Sequence, residues 1–213
     1  MKIDFVSDVS CPWCAIGLQA LEQALARIGP DLQATLHFQP FELNPKMAPE
    51  GQEIVEHLGQ KYGINAEQIT ANTEAIRQRG AAVGFTFGMG KRSRIYNTFD
   101  AHRLLHWAGL QGAAPQAALK HALFKAYFTD GQNPHDPAVL LLAAVHAGLD
   151  EAGASKVLAG NDYATEVRQA EAFYQQQGIN SVPAVIINDR HLISGGQPVE
   201  VFEQALRQIA AEA

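Results

Sequence analysis

Strand-forming sequence in this chain is confined to its two ends. Near the start, "KIDFVS" (2–7) is a short apolar run of strand type. "QATLHFQ" (33–39) alternates, with Ala34, Leu36 and Phe38 on one side and Gln33, Thr35, His37 and Gln39 on the other. Near the finish, "AVIIN" (184–188) and "HLIS" (191–194) flank Asp189-Arg190, which reads as a hairpin. From about 45 to 178 no segment reads as a convincing strand. A single sheet must therefore be assembled from the two ends, with the middle carried as helices.

The helices follow from apolar spacing and from stop signals. Ile16, Leu21, Ala24, Leu25 and Ile28 recur at three- and four-residue intervals from Cys14 onward, and Gly29-Pro30 ends the run. Ile54, Val55 and Leu58 mark a helix ending near Gly63. Asn65-Ala66-Glu67-Gln68 resembles a capping box. Further helices are predicted at about 93–109, 115–128, 137–147, 151–159 and 162–177, with Asp136-Pro137 a good cap and first-turn pair. "PVEVFEQALRQIAAEA" (198–213) closes the chain with Val201, Phe202, Leu206 and Ile209 on one face. The order is β-α-β, a helical block, then α-β-β-α. Without the block this is the thioredoxin topology, its first two strands joined by a right-handed crossover. The expected fold is α/β and thioredoxin-like, with a large all-helical insertion between the second and third strands. Residues 1–44 and 161–213 form the thioredoxin-like domain and 45–160 the inserted helical domain.

Both cysteines of the chain, Cys11 and Cys14, lie in "VSDVSCPWCAIG", where the first strand gives way to the first helix. Pro12 pushes Cys11 toward extended backbone and suits the first helical position itself. That makes Cys11 the N-cap, with Trp13 and Cys14 at the second and third helical positions. A thiolate at Cys11 would accept hydrogen bonds from those N–H groups and sit at the positive end of the helix dipole. Cys14, one turn on, is within disulfide reach. Cys11 is thus expected to be an exposed nucleophile and Cys14 the thiol that resolves a mixed disulfide.

Two other uses of the cysteines fit less well. A structural staple across so short a loop removes little unfolded-state entropy. A zinc site needs four ligands and the pair supplies two. His102 and His106 ("HRLLH") are four apart on one helix face, but they stand about ninety residues from the cysteines, where a finger has about a dozen. No bound metal or cofactor is expected. "GFTFGMGKRSR" (84–94) fails the phosphate-loop pattern twice, at Phe85 and Arg92, and is expected to be a mobile, solvated loop carrying Lys91, Arg92 and Arg94.

Sixteen basic against twenty-two acidic residues give a net charge of −6, which disfavours nucleic acid and anionic membrane surfaces as partners. The longest apolar run, "AVLLLAAV" (138–145), is far short of the ~18 residues of a membrane span. After Met1-Lys2 no apolar leader region follows. The expectation is a soluble cytoplasmic protein, in a compartment that keeps thiols reduced.

Val182-Pro183 stands just before the third strand. A proline there cannot donate to the ladder, and an X-Pro bond can be cis at modest cost. In a thioredoxin topology this loop lies beside the dithiol, where the backbone of Val182 would pair with an extended substrate segment. Asp8, three residues before Cys11, is a candidate acid/base for Cys14, or equally a turn carboxylate.

"SDVSCPWCAIG", "FELNP" (41–45), "NTFDAHRLLHWA" (97–108), "AYFTDGQN" (126–133), "GINSVPAVIIN" and "ISGGQPVEVF" (193–202), in that order, resemble the FrnE-like branch of the DsbA family. The resemblance runs over nearly the whole chain. It implies a thioredoxin fold with a helical insertion and thiol–disulfide oxidoreductase or isomerase activity. It makes Cys11 the nucleophile, Cys14 the resolving thiol and Val182-Pro183 the cis-proline pair, with Asn44 and Trp13 bordering the substrate groove. The implied substrates are disulfide- or thiol-bearing proteins, or glutathione as co-substrate, and the assembly is left open between monomer and homodimer. Some relatives carry a further cysteine pair, which this chain lacks, so electrons must be exchanged with an outside thiol. Two rival functions remain. Related 2-hydroxychromene-2-carboxylate isomerases and kappa-class glutathione transferases use bound glutathione and usually carry serine where Cys11 stands. A non-catalytic peptide-binding module would retain its activity without Cys11.

Overall fold

The structure, a computed structural model, describes residues 1–88 and 90–212. Met89, in the stretch read as a glycine-rich loop, and Ala213 lie outside it. In chain order the elements are β1 (Lys2–Ser7), α1 (Pro12–Ile28), β2 (Thr35–Pro40), β3 (Gln52–Glu53), α2 (Ile54–Tyr62), α3 (Ala66–Ala82), β4 (Arg94–Ile95), α4 (Phe99–Leu110) and α5 (Ala113–Phe124). They continue with α6 (Pro137–His146), α7 (Glu151–Ala159), α8 (Ala164–Gln176), β5 (Ala184–Ile187), β6 (His191–Ser194) and α9 (Val199–Ala211). The main sheet has the order β2-β1-β5-β6, with β1 and β2 parallel and the other pairs antiparallel. This is the thioredoxin arrangement, built from the two ends of the chain.

The pleat sorts the apolar residues of β1 and β5 onto two faces. Ile3, Phe5, Val185 and Ile187 join α1 and α9 in the larger core, and the Phe5 ring meets Phe38 edge-on at 5.9 Å. Val6 and Ala184 face the other way, against Tyr174 of α8 and Ile179. The inserted helices α4–α7 have a core of their own, in which Leu104, Leu119, Leu140 and Val157 are buried. The insertion also feeds the main core: Val83, Phe85, Phe124, Tyr127 and Phe128 lie in the same cluster as the two cysteines. Tyr127 and Phe128 reach it from a π-helical turn, Lys125–Thr129, that prolongs α5. Among the described residues no helix is long and apolar enough to cross a membrane.

The insertion is not wholly helical. β3 and β4 pair antiparallel over two residues each, so α4 begins at Phe99 rather than near 93. A two-residue bridge is too short to leave a periodic signal. The basic stretch is also more tied down than a solvated loop. Arg94 donates to the carbonyls of Glu50 and Gly51 at 2.9 and 2.8 Å, and the Arg92 guanidinium stacks on Tyr127 and Phe128.

The outer edge of β2 is covered by α5 through one side chain. Gln116 accepts from the Phe38 N–H at 2.9 Å and donates to the Phe38 carbonyl at 3.1 Å, as a neighbouring strand would. At the other end of the fold, Gly17 of α1 and Gly196 before α9 let two segments meet. A Cβ on Gly196 would lie 2.8 Å from the Trp13 carbonyl oxygen, and one on Gly17 would lie 3.2 Å from the Pro183 ring. Backbone cannot yield as a side-chain tip can, so Gly196→Ala is expected to destabilise the fold by about 1–3 kcal/mol. Gly59→Ala in α2, whose Cβ finds ordinary contact at 3.5 Å, is expected to be neutral or stabilising by up to about 1 kcal/mol. Urea unfolding of the two variants checks the contrast.

Candidate functional site

The site forms where β1 ends. Ser7 closes the strand, Asp8-Val9-Ser10 turn the chain, and α1 starts at Pro12 with Cys11 as N-cap in extended conformation, φ −92° and ψ 113°. Val9 is fully buried in the core of the inserted helices. The turn that delivers the dithiol is thus held by both parts of the molecule.

Cys11 and Cys14 stand as free thiols, one helical turn apart. Cys11 does not accept from the helix N–H groups as expected. The Cys14 N–H goes instead to the Cys11 carbonyl at 3.1 Å, and the Cys11 thiol donates to the Val182 carbonyl, Sγ to O 3.6 Å. A protonated thiol is a donor, so it turns toward a carbonyl rather than toward the helix amides. Nor is Cys11 exposed: it is 4% accessible, closed in by the Val182-Pro183 loop, whose peptide is cis. Cys14 is fully buried. Burial pushes its thiol well up, the Cys11 sulfur beside it pushes further, and the Lys120 ammonium pulls the other way.

Asp8 is the most heavily bonded group of the site. One carboxylate oxygen accepts from the Ser10 N–H (3.1 Å) and the Thr98 hydroxyl (2.8 Å). The other accepts from the Ser10 hydroxyl (2.9 Å) and the Leu43 N–H (2.7 Å). His102 Nε2 stands 3.6 Å away, beyond a good hydrogen bond. Burial alone would raise this carboxyl, but His102 and the N–H groups of Leu43 and Ser10 outweigh it and hold it down to about 2. A group so held stays ionised at neutral pH. It serves as a fixed charge and a tie point, and it is a poor acceptor for the proton of Cys14.

Trp13, 38% exposed, and Val182-Pro183 flank Cys11. Asn44 reaches the site through Lys61 of α2, whose ammonium donates to the Asn44 side chain at 2.7 Å and to the Leu43 carbonyl at 2.8 Å. Burial lowers the Lys61 ammonium, while Asp8 and Cys11 favour its charge, which places a cation within reach of the nucleophile. Tyr62, next to it, is exposed and also feels Cys11. His106 lies away from the thiols, its ring 5.2 Å from that of Tyr163. Among the described residues no group of three or more His, Cys, Asp or Glu side chains is placed to hold a metal ion.

The inserted lobe contributes Lys120 of α5, whose charge acts on Cys14. The residue is fully buried, its Nζ has no hydrogen-bond partner, and it lies over the rings of Phe124 (4.8 Å) and Phe38 (5.9 Å). Reading the sequence missed Lys120, Lys61, Gly17 and Gly196. For Lys120 a signal was present: Gln116, Lys120 and Phe124 recur four apart on one stripe of an otherwise apolar helix.

The Asp8 carboxyl binds its proton near 3.8 when unfolded and near 2 when folded. As pH falls the unfolded chain therefore takes up the proton first. Stability from this group is whole above about pH 4 and is lost as pH falls through about 2, amounting to roughly 2 kcal/mol. Asp8→Asn, which turns an NH2 toward donors, is expected to lose about 2–4 kcal/mol at neutral pH and to flatten that acid limb. Chemical denaturation at a series of pH values measures both.

A model of the DSBA-like thioredoxin domain matches residues 2–207. The uncharacterized protein YwbO of Bacillus subtilis is 27% identical over 220 residues, covering 97% of this chain and 96% of that protein. Among solved structures, a probable DsbA oxidoreductase from Streptomyces coelicolor superposes with a TM-score of 0.90 at 35% identity, over 100% of this chain and 91% of that one. The cytosolic disulfide reductase DsbM of Pseudomonas aeruginosa, solved with GSH, shares the fold at 16% identity and a TM-score of 0.66, over 99% of this chain and 100% of that one. On that match over nearly its whole length, the chain belongs to the DSBA-like thioredoxin domain family, as a thiol–disulfide oxidoreductase.

Proposed function

We propose that Cys11 and Cys14 cycle between dithiol and disulfide, with Cys11 attacking and Cys14 resolving. The observation that carries this reading is the asymmetry of the two thiols. Cys11 caps a helix beside the cis-proline loop, whereas Cys14 is sealed one turn inside, with its thiol form favoured. Cys11 keeps a small accessible surface and Cys14 keeps none, so a partner reaches the first thiol before the second. The Val182 carbonyl beside Cys11 offers main-chain pairing to an extended peptide. The Lys61–Asn44 pair supplies a cation and an amide that suit a small anionic thiol such as glutathione. The substrates we assign are protein disulfides or thiols, with glutathione as co-substrate. We place the protein in the cytoplasm, in line with the described location of DsbM, and in the FrnE-like branch on the motifs quoted above. Cysteine at position 11, followed by a second thiol, favours redox cycling over glutathione-dependent isomerisation.

The test is equilibration with glutathione redox buffers, reading the protein disulfide by alkylation and mass. A reversible two-electron couple within the span of about −270 to −120 mV is expected, and it should vanish in Cys11→Ser. Cys14→Ser should accumulate a mixed disulfide on Cys11. The position within that span ranks oxidase against reductase. Failure to form the intramolecular disulfide at any poise, or activity that survives Cys11→Ser, would sink the reading.

A further inference from the structure

Lys120 is a full charge carried into the centre of the molecule without a hydrogen-bond partner. Burying an ammonium in that way is costly, and nothing in the packing requires it. Its strongest charge neighbour is Cys14, ahead of Asp8 and Cys11. It also lines a cavity of about 180 Å³ between β2, α4 and α5. His102, whose Nε2 is likewise buried and unpartnered, lines the same cavity, as does buried Gln116. The partly exposed lining, His37, His106 and Leu110, opens it toward solvent. The titratable groups that act on Lys120 by charge are Cys14, Asp8 and Cys11, and those that share its cavity are His102, His37 and His106.

From this arrangement we infer that Lys120 is the proton acceptor and donor for Cys14, and that the cavity between β2, α4 and α5 is the route by which that proton exchanges with solvent. The inference rests on the dithiol cycle proposed above. In the resolving step the neutral Lys120 amine takes the S–H proton of Cys14, directly or through one water. The Cys14 sulfur attacks Cys11 Sγ. The Cys11–Cys14 bond forms as the bond from Cys11 to the partner's sulfur breaks, and the electron pair leaves on that sulfur as a thiolate. Lys120 then passes its proton to solvent through the cavity. In reverse, an incoming thiolate attacks Cys11, and Cys14 leaves and takes its proton back from the Lys120 ammonium.

The other buried groups are less suited to this task. Asp8 is held ionised by its four donors. Lys120 is different: burial brings its ammonium down to about 8. About one molecule in ten then carries the neutral amine at pH 7, so both forms are at hand near neutrality.

A symmetrical aromatic disulfide separates the two chemical steps in stopped flow. One coloured thiolate is released when Cys11 attacks, and a second when Cys14 resolves. In the wild type the second, concentration-independent phase should rise with pH through an inflection near 8. Lys120→Met removes the unpaired charge at similar volume and should fold, which a thermal melt checks. It should slow the second phase by about 10²-fold or more at neutral pH, abolish the inflection and slow the first phase far less. Lys120→Arg, which keeps a charge that cannot be given up, should be slow as well. An unchanged second phase in Lys120→Met, or recovery in Lys120→Arg, overturns the inference while leaving the dithiol cycle intact. So does a wild-type second phase without the inflection, which requires no variant to fold. Absence of both phases would instead count against the dithiol cycle itself.

Discussion

The Asp8 carboxylate is the interaction on which the rest of the site depends. A buried carboxylate without donors would be neutral or would not be buried. Here it gathers donors from three parts of the chain: Ser10 in its own turn, Leu43 beyond β2, and Thr98 at the start of α4. These segments are far apart in sequence, and one anion sets their spacing. The dithiol turn, the segment leading to Asn44 and the entry into the second group of inserted helices are thereby held in one register. Val9 strengthens the arrangement by burying its side chain among the inserted helices between two residues of the turn.

The insertion is consequently part of the thioredoxin core as well as a body beside it. The π-helical turn re-aims the end of α5 so that Tyr127 and Phe128 pack with the cysteine-bearing cluster. The hydroxyl of Tyr127 returns to the Arg94 carbonyl at 3.1 Å, and so anchors the β3–β4 bridge. Main-sheet elements and inserted elements therefore share side chains along a continuous front from β4 to α1, and the dithiol sits on that front.

Much of this was legible in the sequence because it is written in periodicity and punctuation. The apolar run at 2–7, the alternation at 33–39 and the two short runs flanking Asp189-Arg190 gave the strands, Gly29-Pro30 and Gly63 marked helix ends, and Asn65 with Gln68 forms the capping box that its spacing suggested. The Cys11 N-cap with proline at the first helical position is as read. What escaped is what periodicity does not encode. The β3–β4 bridge spans two residues a side. Gly17 and Gly196 matter only because two segments distant in sequence touch, and the burial of Cys11 depends on a loop some 170 residues on. The role of Asp8 could not be divided between acid/base and tie point until its donors were known. Lys120 is legible in part, as a misplaced cation on an apolar stripe, but not the thiol its charge acts on.

The Gln116 side chain has a consequence for how the sheet meets other chains. Because the two parallel strands lie at one side, an outer row of amides and carbonyls on β2 would be available to any passing strand. A single carboxamide occupies the Phe38 position of that row and does so from the inserted lobe. The β2 border is thus occupied at Phe38 by a side chain, and β6 forms the other border of the sheet. A strand arriving on the β2 side would have to displace that carboxamide before it could pair at Phe38.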